Sequence, residues 1–145
     1  MMSCFQFAER LERASIRARN EIDAPTEALM VLVAAQAKEA IGTYKFGWPE
    51  LAESTQRDRV AQGYPADEPL LRTGAMANSI SHKAHLSAGG AEGLVYSDEI
   101  IALWQEMGTS RGIPPRSFLF MALTHSGPEM GRIFIAFAVS ILLGM

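Results

Sequence analysis

Apolar residues recur at helical spacing from the start of the chain. Cys4, Phe7, Ala8, Leu11, Ala14, Ala18 and Ile22 share one side, with Glu9, Arg10, Arg13, Arg17 and Asn20 elsewhere. The pattern predicts an amphipathic helix over residues 3–22. Asp23-Ala24-Pro25 interrupts it, because proline disfavours helical geometry in the residue before it. Proline is well tolerated in a first turn, so a second helix, or a kinked continuation of the first, is expected from Pro25 to about Ile41, ending at Gly42. Its apolar positions (Leu29, Val31, Leu32, Val33, Ala35, Ala37, Ile41) cover more than one face and predict burial on several sides.

From Thr43 to Leu71 the periodicity is lost. Within this stretch a short helix over Ser54–Gln62 is expected, capped by Ser54 or Thr55 and ended by Gly63. Thr73 reads as the N-cap of another short helix through Ser79. Period-2 alternation then sets Ile80, His82, Ala84 and Leu86 against Ser81, Lys83 and His85. Ala88-Gly89-Gly90 supplies turn residues, and Gly93–Tyr96 returns. A β-hairpin over residues 80–96 is predicted. Ser97 or Asp98 can cap a helix from Glu99 to Met107, with Gly108 at its end. The loop Thr109–Pro115 is polar and proline-closed, and Arg111 and Arg116 make it a candidate docking loop, exposed and mobile in the free subunit. Ser117–Thr124 is apolar, strand or helix, and Glu129–Leu143 is a last helix.

The chain has 145 residues, enough for one domain, and 48% of them are hydrophobic. That composition excludes wholesale disorder. Thirteen basic against sixteen acidic residues leave a net charge of −3, which argues against a nucleic-acid coat. Cys4 is the sole cysteine, so neither an internal disulfide nor a cysteine-built zinc site is possible. The N-terminus lacks the basic and apolar regions of a signal peptide. The most apolar run, Ile133–Leu143, is about half the ~20 residues that span a bilayer. No cofactor and no membrane are expected.

Catalytic signatures are missing. The chain has no Gly-Lys pair for a P-loop, no G-x-G-x-x-G, no H-E-x-x-H and no G-x-S-x-G. His82 and His85 point to opposite faces of a strand. The enzymatic alternative is a small hydrolase using Ser110 or Ser126 with His125 and Glu106; a membrane-active protein led by residues 130–143 is another.

Four short blocks stand in order: Trp48-Pro49-Glu50-Leu51-Ala52-Glu53-Ser54-Thr55; Leu70-Leu71-Arg72-Thr73-Gly74-Ala75-Met76-Ala77-Asn78-Ser79-Ile80; Glu106-Met107-Gly108-Thr109-Ser110; and Ile113-Pro114-Pro115-Arg116-Ser117-Phe118-Leu119. In this order they resemble the phage virion morphogenesis family, the tail-completion and head-to-tail joining proteins of tailed phages and prophages. The resemblance covers about residues 46–123. Met76 stands where that family usually has leucine, Ser117 where it has a second proline, and Arg57 and Arg59 where it has lysine.

The expected fold is α+β: a small antiparallel sheet around the hairpin, packed against the long N-terminal helix or helices and the C-terminal helix. The expected organisation is a single domain, with residues 1–42 helical, 43–124 the family-like core and 129–143 the last helix. The resemblance implies a structural neck or tail-completion protein with no reaction, forming a ring with a hexamer as the expected size. Its implied partners are copies of itself, tail tube protein and connector or stopper proteins, without specific nucleic acid. It would sit in the virion, at the neck or tail end, after assembly in the bacterial cytoplasm. The residues implied to carry its contacts are Trp48, Thr73, Gly74, Gly108, Arg111, Arg116 and Phe118.

Overall fold

A computed structural model of the chain describes residues 3–144 and shows an α+β fold. The elements run α1 (Cys4–Glu21), α2 (Asp23–Ala40), α3 (Glu53–Ala61), α4 (Ala75–Ser79), β1 (Ile80–Ser87), β2 (Gly90–Ser97), α5 (Ile100–Met107), α6 (Leu119–His125) and α7 (Gly127–Leu143).

Ser3 opens α1 with a reciprocal capping box. Its hydroxyl accepts the Gln6 N–H at 3.2 Å, and Gln6 Oε1 accepts the Ser3 N–H at 2.9 Å. Only Ile22, itself in helical geometry, separates α1 from α2. The second helix begins at Asp23, two residues before the proline. Pro25 lies in the first turn, where a missing N–H leaves no helical bond unmade.

The hairpin is α2's main partner. β1 and β2 pair antiparallel from Ile80↔Ser97 to Ser87↔Gly90, joined through Ala88-Gly89. The returning strand is longer than its pattern suggested, since the backbone ladder runs on through the small residues Gly90–Gly93. Opposite Ala84, Gly93 lets α2 come close: a Cβ there would lie 2.5 Å from Met30 Sδ. His82 Nε2 meets Glu27 Oε1 at 2.9 Å and ties the strand to the same helix.

α2 is buried on several sides, through Leu29, Val33, Ala34, Ala37 and Ala40, against the hairpin, α6 and α7. Phe46, Trp48, Met76, Ile80, Ala102, Phe118 and Ala122 complete the main core. Residues 117–124 are therefore largely helical, not strand, with Ala122 buried and Phe118 just ahead of the first turn.

Several expected caps are displaced. Ser54 and Thr55 lie inside α3, whose N-cap is Ala52; the Ala52 carbonyl accepts the Gln56 N–H at 3.0 Å. Gly74, in the left-handed region at φ 80°, is the N-cap of α4, and the Thr73 hydroxyl accepts the Ala75 N–H at 3.3 Å. Neither Ser97 nor Asp98 is the N-cap of α5; the residue there is Glu99, whose N–H reaches Ser97 Oγ. α7 starts at Gly127, earlier than Glu129, because Pro128 fits its first turn.

The terminal helices contribute little to the core. α1 has no buried residue and α7 only Ile141. Among the described residues no single helix is long and apolar enough to cross a membrane. α6 and α7 together have the length and composition but are bent by 54°.

Candidate interaction site

Glu106 organises the region where the third and fourth blocks meet. Gly108 ends α5 at φ 73°, and the chain returns so closely that a Cβ on Gly108 would lie 2.9 Å from the Ile113 carbonyl oxygen. Only glycine meets both demands. The Glu106 carboxylate, in the last turn of α5, accepts N–H groups from Phe118 (2.8 Å), Leu119 (3.0 Å) and Phe120 (3.0 Å), and the Ser117 hydroxyl. It thus serves the free donors of α6's first turn and sits where the helix dipole favours an anion. Ser117, where the resembled family has proline, supplies a donor that proline lacks.

Arg116 was expected to be an exposed docking cation. It is 6% exposed. Its N–H donates to the Gln105 carbonyl at 2.6 Å, and its guanidinium donates to the carbonyls of Pro49 (3.3 Å) and Glu50 (3.5 Å), joining the fourth block to the first. Phe118 and Trp48 are core residues, not contact residues: Phe118 is fully buried, and Trp48 packs edge-on against Phe46 with ring centroids 5.6 Å apart. For Arg116 and Phe118 the physical reason is shared. An extended proline-stiffened arm is a good ligand for a neighbour, and equally good for its own protomer. Arg111 is exposed, beside Trp104, Thr109, Ser110 and Ile113. The loop around it is braced: Thr109 N–H and Ile113 carbonyl pair at 3.0 Å, and Thr109 Oγ1 accepts the Ile113 N–H at 3.3 Å.

The irregular stretch after α2 has its own anchors. Arg59, also 6% exposed, donates to the carbonyls of Pro65 (2.8 Å) and Leu71. Tyr44 donates to the Asp67 carboxylate and accepts the Leu51 N–H at 3.2 Å. Burial, and then the bond to Asp67, raise the Tyr44 phenol above its ordinary pKa; the Leu51 N–H opposes them.

These braces bring the blocks together. One open groove runs between α3 and the α5–loop unit, with walls from the first block (Leu51, Thr55), the second (Arg72) and the fourth (Ile113, Pro114). The third block does not line the groove; Glu106 ties it to the fourth block by accepting the Phe118 and Leu119 N–H groups. Thr73 and Gly74 lie outside the groove, shaping the turn into α4.

The four residues of the enzymatic alternative are not joined. Glu106 is engaged as described, His125 Nδ1 meets the Met121 carbonyl at 2.9 Å, and among the described residues the buried Ser126 hydroxyl has no partner. Among the described residues no three His, Cys, Asp or Glu side chains are placed to hold a metal ion. Sequence reasoning missed Arg59 and the capping role of Glu106. The one signal for Glu106 was its place before a glycine and eleven residues ahead of Ser117.

Outside the groove the surface is apolar over wide areas. Ile100, Leu103, Trp104 and Met107 are exposed on α5, and Phe134, Ile135, Val139 and Leu142 on α7. No protein family, curated protein or solved structure matches the chain.

Proposed function

We propose that this chain is a structural subunit of a tailed-phage or prophage particle, acting in tail completion or head–tail joining as one member of a ring. Its partners are further copies of itself and the tail tube, connector or stopper proteins against which the ring is seated. The observation that carries the reading is the apolar surface a single protomer leaves uncovered: Met107 is 72% exposed, Ile135 66% and Leu142 60%. Patches of this kind mark protein contacts. The meeting of three of the four family-like blocks at one groove supports the same reading, because a shared surface gives their order a purpose.

Light scattering after size-exclusion chromatography tests it. The wild-type protein is expected to run as a closed oligomer, and Ile135→Glu to reduce it while leaving the helical signal intact. Complementation of a phage lacking its tail-completion gene tests the role itself. A protein that stays monomeric at high concentration, or an oligomer that restores no joined particles, would refute the proposal at one step or the other.

A further inference from the structure

The groove holds two cations that the protomer does not neutralise. Arg59 and Arg116 both line it, both are 6% exposed, and among the described residues neither forms an ion pair. Among the described residues each donates only to main-chain carbonyls, and the buried Nε of Arg116 has no partner. Asp58, in the same wall, is already taken by Arg72 at 3.1 Å. A guanidinium removed from water without an anion is costly, and an incoming carboxylate relieves that cost. The walls beside them, Leu51, Ile101 and Pro114, are apolar.

The complementary surface lies on α1. The half-buried residues Ala14, Arg17 and Ala18 mark the side of α1 turned to α7. On the opposite side Phe5, Glu9, Glu12 and Ile16 follow one another at helical spacing. Phe5 is 80% and Ile16 54% exposed. Glu12 has no ion-pair partner among the described residues, and Glu9 pairs only with the exposed Arg13 at 3.2 Å. Two apolar anchors flanking two carboxylates suit a groove with apolar walls and unneutralised arginines. Glu50, exposed at the groove's mouth, would meet Arg13 on the same helix.

We infer that α1 of one copy lies in the α3–α5 groove of the next, with Glu9 and Glu12 directed at Arg59 and Arg116. This helix-in-groove contact joins two different surfaces, the heterologous geometry that closes rings. The inference rests on the ring reading and names its interface.

The test uses full-length protein with Cys4→Ser, carrying either Glu12→Cys or Thr55→Cys, Thr55 being exposed on the groove wall. Under mild oxidation a mixture of the two variants is expected to give the mixed disulfide dimer, and each variant alone little or none. Glu12→Lys, without the cysteines, is expected to raise the concentration needed for assembly about tenfold, from charge reversal against the arginines, with an unchanged melting temperature at concentrations where both proteins are monomeric. Cross-linking of Glu12→Cys with itself, or an oligomer that yields no mixed dimer, overturns the docking and leaves the ring standing. A wild-type protein that is monomeric overturns both.

Discussion

The carboxylate of Glu106 receives the backbone N–H of Phe118 at 2.8 Å, so the end of α5 caps the start of α6 and seats the fully buried Phe118 ring. A helix terminus normally takes its cap from the residue just before it. Here Phe118 occupies that position and its side chain is committed to the core, so the acceptor comes from another helix.

Glu106→Ala is therefore expected to destabilise the protein by about 2–4 kcal/mol, since several N–H donors lose their acceptor at once. Glu106→Gln, which retains one acceptor oxygen, should fall between. Urea unfolding followed by circular dichroism measures both. A Glu106→Ala protein as stable as wild type would show that the cap contributes nothing.

Arg116→Ala is expected to lower stability by about 1.5–3 kcal/mol, because charged hydrogen bonds to the Pro49 and Glu50 carbonyls are lost in a buried setting. Arg111→Ala, at an exposed loop position, should stay within about 0.5 kcal/mol of wild type. Melting temperatures of the pair, measured side by side, check the contrast. Equal values would show that Arg116 is not anchoring the first block.

Gly93→Val places a branched side chain where a Cβ already falls 2.5 Å from Met30 Sδ. Overpacking should outweigh the better strand propensity of valine and cost about 1–3 kcal/mol. Shortening the opposing side chain opens the space, so in the double variant with Met30→Ala the two effects should add to less than their sum. A double-mutant cycle reads that coupling. Strict additivity would mean that α2 and β2 do not meet at this point.

The Tyr44 phenol has its pKa raised in the folded protein, from an unfolded reference of 10.0. Above that reference the unfolded state holds fewer protons than the native state, so unfolding becomes easier as pH rises. Stability from this group is complete below about pH 10 and is lost as pH climbs through the higher folded value. Tyr44→Phe should flatten that alkaline slope, and lose about 0.5–1.5 kcal/mol at neutral pH with the Asp67 bond. Denaturation curves from pH 8 to 11 for both proteins make the comparison.

Much of the chain's local structure was legible without coordinates. Helical spacing located α2, α5 and α7. Alternation with Ala88-Gly89-Gly90 located the hairpin. Gly63 and Gly108 marked helix ends because a left-handed residue there needs no side chain. These features depend on neighbours a few residues apart, which composition and period report directly. The strand-or-helix choice for residues 117–124 did not, since a short apolar run reads the same either way. A carboxylate more than ten residues upstream decided it.

Burial was the larger surprise. Proline stiffening and a polar composition described the 109–116 arm correctly as backbone, but could not say whose surface it lies on. Arg116 meets Pro49 across 67 positions of sequence, and only the tertiary fold sets that contact. The same holds for α1. Its amphipathic pattern, as sequence, shows that one side is apolar. Only the packing of the other elements shows that no residue of it is fully buried in this protomer, because the area available for cover depends on where every other helix goes.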